Sequence, residues 1–81
     1  MPAVARPSDP KDPALARAIR ELRQDRGMTL EGLAHAAGIT TTTLVRIEGQ
    51  QTNPTWTTVR RLAGALNTSM RELGQRVDIG D

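Results

Sequence analysis

Thr29-Leu-Glu-Gly-Leu-Ala-His-Ala-Ala-Gly-Ile-Thr-Thr-Thr-Thr-Leu-Val-Arg-Ile-Glu-Gly49 decides the fold. Leu30, Leu33, Ala34 and Ala37 recur at i, i+3, i+4 and i+7, the apolar stripe of an amphipathic helix. Gly38 interrupts the stripe where a backbone with positive φ is easiest to adopt. Ile39 then reads as a buried turn residue, and Leu44 and Ile47 begin a second stripe. Thr41, Thr42, Val45, Arg46 and Gly49 are left to face solvent on that second helix. A face of small hydroxyls with a single cation is shaped to enter a groove.

Two helices joined by a short turn containing glycine describe a helix-turn-helix, whose second helix lies in the DNA major groove. The chain resembles the lambda-repressor/Cro-like (Xre) helix-turn-helix family. The residues that carry the likeness span about 14–75: Arg20-Glu-Leu-Arg23, Gly27-Met-Thr-Leu-Glu-Gly-Leu-Ala34, Gly38-Ile39-Thr40, Leu44 with Arg46-Ile47-Glu48, Asn53-Pro54-Thr55, and Leu62-Ala63 with Ala65-Leu66. The resemblance implies an all-α, compact five-helix domain with the helix-turn-helix at its second and third helices. It also implies a sequence-specific DNA-binding transcriptional regulator, a repressor, binding a double-stranded operator as a homodimer. The same fold serves two rival roles, a protein–protein adaptor and the antitoxin of a toxin–antitoxin pair, each with a protein partner.

The totals agree with a small intracellular domain. Eighty-one residues bury only about 60% of their unfolded surface. With one Trp and no Phe or Tyr, the core must be made of Leu, Ile, Val, Met and Ala. The absence of cysteine excludes disulfides and thiolate metal sites and fits a reducing compartment, the cytoplasm. Ten Arg and one Lys leave a formal charge of only +2, which is not a nonspecific polycation. No run is long enough to span a membrane, and the first residues lack the apolar stretch of a signal peptide. A lone His35 and no phosphate loop or paired carboxylates speak against an enzyme, and no cofactor or metal is expected.

Residues 1–11, with three prolines, read as an N-terminal arm; Arg6 and Lys11 either reach around the duplex or belong to an unstructured leader. The folded domain is expected over 12–78 and a tail over 79–81. Asp12-Pro13 is a helix start, with Leu15, Ala18, Ile19 and Leu22 inside and Gly27 as its end. Arg17, Arg20 and Arg26 read as a solvated face. By resemblance, Arg23 pairs with Glu48 and ties the first helix to the third.

Thr29 caps the second helix, and the amides of Leu30 and Glu31 offer a phosphate site. Leu30 replaces a glutamine usual in the family, which weakens that grip. Thr40 caps the third helix, and Thr40 and Thr43 can meet phosphates. Matching the family residue by residue places base contacts at Thr41, Thr42 and Arg46. Arg46 has two readings, a bidentate contact to guanine or a phosphate contact. In the following loop Gln50, Gln51 and Asn53 offer uncharged phosphate contacts in place of the usual lysine, and either Gly49 ends the helix one place early or Gln50 takes the strained position. Thr55 caps the fourth helix, whose Trp56, Val59, Leu62, Ala63 and Leu66 are expected in the core, with Arg60 and Arg61 exposed. Ser69 caps the fifth, and Met70, Leu73 and Val77 form an apolar side assigned to the dimer interface.

Overall fold

Short acceptor side chains start the helices, and residues with positive φ stop them. The structure, a computed structural model, describes residues 12–80, with the side chains of 79 and 80 excepted. Its elements are α1 (Pro13–Asp25), α2 (Leu30–Ala37), α3 (Thr41–Glu48), α4 (Trp56–Ala65) and α5 (Met70–Gly80). The expected arm over residues 1–11 and the terminal Asp81 lie outside the described residues. α5 runs to Gly80, so two residues assigned to a tail belong to the helix.

The caps are those the sequence announces. Asp12 accepts from Leu15 N–H, with Pro13 at the first helical position. Thr29, Thr40 and Thr55 accept from the N–H groups of Gly32, Thr43 and Thr58. Before α5, Ser69 Oγ accepts from Glu72 N–H at 3.0 Å while a Glu72 carboxylate oxygen accepts from Ser69 N–H at 3.0 Å, a reciprocal capping box. These bonds satisfy amides that have no partner inside their own helix.

The first four helices all stop the same way. After α2, Gly38 N–H donates to His35 O and Ile39 N–H to Ala34 O. The same pair of bonds recurs around Gly27, Gln50 and Asn67, the Schellman arrangement. Its left-handed residue is glycine after α1 and α2, with φ 67° and 72°, but Gln50 after α3 at 61° and Asn67 after α4 at 55°. Gln50, not Gly49, therefore takes the strained position. Gly49 has an ordinary φ of −85°; a Cβ there would stand 3.0 Å from the Val45 carbonyl oxygen.

Each helix sends at least one aliphatic side chain into a single core. Ile19, Leu33, Leu44, Leu62, Leu66 and Leu73 are its largest fully buried members. Leu15, Leu30, Ile39, Met70 and Val77 are half-buried against it. Two expectations are corrected here. Leu73, assigned to a dimer surface, is 2% exposed and belongs to the core, leaving Met70 and Val77 as the outer part of that side. Trp56, expected inside, is 68% exposed. It lies one turn before Val59 on the correct stripe, but at the first residue of α4, where the neighbouring helices no longer cover that stripe.

Candidate nucleic-acid interface

α3 is held from behind and open in front. Leu44 and Ile47, at 0% and 2% exposure, anchor it to the core. Thr42, Thr43, Val45 and Arg46 face solvent, and Thr41 is half-buried at the edge of that face. Thr42 and Arg46 are one turn apart and share a direction. The structure thus brings the three expected base-reading residues onto one surface. Val45 lies between them, on the solvent face where its off-stripe position in the sequence put it.

A bidentate ion pair fixes the angle of α3. Arg23 Nε donates to Glu48 Oε2 at 2.8 Å and Arg23 Nη2 to Glu48 Oε1 at 3.0 Å. Arg23 Nη1 also donates to Met28 O at 3.1 Å. The guanidinium thereby joins α1, the turn before α2 and the last residue of α3. The two side chains are only 14% and 7% exposed. The Glu48 hydrogen bonds push the Arg23 pKa above its ordinary value, against the opposing effect of burial. The pair inferred by resemblance is present in the fold.

Around α3 the expected phosphate contacts divide into different kinds of group. Thr40 Oγ1 accepts from Thr43 N–H at 3.0 Å and donates to Thr43 Oγ1 at 2.8 Å. One hydroxyl proton is shared between the two threonines, which leaves the other to donate outward. At α2, the Thr29 cap leaves the first-turn amides of Leu30 and Glu31 facing out, but the exposed Glu31 side chain puts negative charge in the same turn. Leu30 packs its side chain against the core. Gln50 and Gln51 are exposed beside the end of α3. Asn53 has a structural partner: its Oδ1 accepts from Asp12 N–H at 3.0 Å, fastening the loop to the start of α1.

One side chain departs from the expected solvated face. Arg26 Nε donates to Leu66 O at 3.0 Å and so caps the end of α4 from α1. Arg76 on α5 pairs with Asp25 at 3.2 Å and lies 3.8 Å from Glu21. A basic residue close to a helix end hints at carbonyl capping, but its partner forty residues away left no local signal. Away from α3, Leu15, Pro54, Trp56, Met70 and Val77 line an apolar groove of about 410 Å³. Among the described residues, no cluster of His, Asp or Glu is placed to hold a metal ion, and no helix is long and apolar enough to cross a membrane.

Comparison with known proteins agrees with this geometry. The helix-turn-helix family profile matches residues 19–73. The HTH-type transcriptional regulator DdrOP3 of Deinococcus deserti is 36% identical over 64 residues, which are 79% of this chain and 50% of that protein. The chain therefore spans about half the length of this curated relative. The clp gene regulator ClgR of C. glutamicum superposes with a TM-score of 0.78 at 25% identity, covering 83% of this chain and 87% of that one. The restriction-modification controller protein C.Esp1396I, solved as a tetramer with its natural 35-base-pair operator, has a TM-score of 0.81 at 22% identity over 84% and 90% of the two chains, a likeness of fold. With its five helices, its α2–turn–α3 unit and the family match over residues 19–73, the chain belongs to the lambda-repressor/Cro-like (Xre-type) helix-turn-helix family.

Proposed function

We propose that the chain is a sequence-specific DNA-binding transcriptional regulator that acts as a repressor and binds its operator as a homodimer. The observation that carries this reading is α3, backed by buried Leu44 and Ile47 and presenting Thr42, Val45 and Arg46 outward. Such a helix enters the major groove while groups around it bind phosphates. Arg46 reads guanine O6 and N7 through its planar fork. Thr29, Thr43, Gln50, Gln51 and the amides of Leu30 and Glu31 hold the backbone. The relatives are regulators by name, and the same fold is known with an operator bound.

Homodimerisation is supported by the apolar groove. Trp56, 68% exposed, is part of its lining, so an exposed indole and an apolar hollow lie on one face. A twofold contact requires such a self-complementary face. Two copies would then present α3 to half-sites about 34–36 Å apart. A domain sitting on a promoter excludes polymerase, which makes repression the simplest outcome.

The test is selection of binding sites from a random duplex pool at near-physiological salt, alongside the Thr42→Ala/Arg46→Ala variant. An inverted repeat recovered with the native chain and lost with the variant supports the proposal, and a reporter carrying that repeat across its promoter should be silenced. No enriched sequence would turn attention to the adaptor or antitoxin role, with the groove seating another protein.

A further inference from the structure

Val45 and Trp56 are the large apolar side chains left exposed among the described residues. Trp56 borders a groove; Val45, at 46% exposure, stands on the outward face of α3. At about 100° per residue, Val45 is roughly 40° around the helix from Thr41 and roughly 60° from Thr42, one turn nearer the C-terminus. It is bracketed by the two threonines placed to read bases. A valine there lies outside the core cluster, lowers helix propensity through its branched Cβ and leaves nearly half of its surface in water. The same face offers the methyls of Thr41 and Thr42 and the charge of Arg46, with no amide or carboxylate side chain among them. In the major groove, the apolar group presented by unmodified DNA is the C5-methyl of thymine.

We propose that Val45 is a specificity-determining residue that packs on the 5-methyl group of a pyrimidine in the major groove. The inference rests on the DNA-binding reading above and names the base chemistry that α3 selects. A thymine faces Val45 in each half-site. Cytosine at that position brings its N4 amino group to a side chain that cannot accept a hydrogen bond. Cytosine methylated at C5 regains the apolar contact but not the thymine O4, so its affinity lies between the two.

The experiment uses the duplex recovered from the random pool, with each thymine of a half-site replaced singly by deoxyuridine, which removes only the methyl. One replacement should weaken native binding about fourfold, the value of a single methyl taken out of water. Val45→Ala should erase that penalty, and Val45→Ile should retain it. Since the side chain is exposed, both variants should keep the native circular dichroism spectrum, and Val45→Ala, with the better helix former, should melt no lower than the native chain. A flat uracil scan with the native chain, a recovered half-site without thymine, or a penalty that persists in Val45→Ala overturns the proposal and leaves DNA binding intact. A pool without any enriched site overturns the DNA-binding reading and this proposal together.

Discussion

Gln50 holds a left-handed conformation, φ 61°, that costs a residue with a Cβ roughly 1–2 kcal/mol. Glycine relieves that strain but loses more backbone entropy on folding, about 0.5–1 kcal/mol. Gln50→Gly should therefore stabilise the domain by about 0.5–1 kcal/mol, read as a rise of a few degrees in melting temperature. An unchanged or lower melting temperature would show that the exposed Gln50 side chain contributes more than its backbone costs. The sequence left this position ambiguous for a physical reason. Glycine and glutamine stand side by side, and the choice between them depends on where the last α3 hydrogen bonds close, with Gln51 N–H on Arg46 O at 2.8 Å. Gly27 and Gly38 had no such competitor, and both are left-handed as their positions suggested.

Between elements, the Arg23–Glu48 pair sets the pose of α3. Arg23→Ala strands a carboxylate that is only 7% exposed and should destabilise the domain by about 3 kcal/mol, the low end for breaking a buried pair. Denaturant titration measures this, and the selected DNA sequence should stay the same; a stability within 1 kcal/mol of native would remove the pair from its structural role. At the start of α5, Ser69 N–H, the Ser69 hydroxyl and the Thr68 hydroxyl hold the Glu72 carboxyl below the 4.5 of a free glutamate. A depressed folded-state value means that the cap contributes fully above pH 4.5 and is lost as pH falls through the lower folded value. Amide exchange in the first turn of α5 should therefore quicken relative to the rest of the chain as pH falls through that lower value, and Glu72→Gln should remove that dependence. Helix starts and most helix ends were legible because each is written within a few residues. The Arg26–Leu66 bond and the fastening of Asn53 to Asp12 span 40 and 41 residues and were not.

For the whole molecule, the five-helix order followed from the family resemblance and most of the core from apolar spacing. Burial at the rim did not, because periodicity gives the direction of a side chain but not how far its neighbours extend. Leu73 and Trp56 show the two directions of that error, one taken into the core and one left outside it. The groove they define leads to a prediction about assembly. Trp56→Arg should leave folding intact, since the side chain is 68% exposed, and should shift sedimentation toward the monomer. It should weaken binding to a paired site more than to an isolated half-site; equal losses on both would place Trp56 outside the dimer contact. The exposed position has an optical consequence as well. Trp56 is the sole indole of the chain, so its emission originates at the rim rather than in the packed interior. In the monomer, unfolding should barely alter its colour while helical ellipticity collapses, whereas a second copy or any other molecule settling into the groove should shift it to the blue. The chain carries a built-in fluorophore that reports association and is nearly silent about denaturation of the monomer.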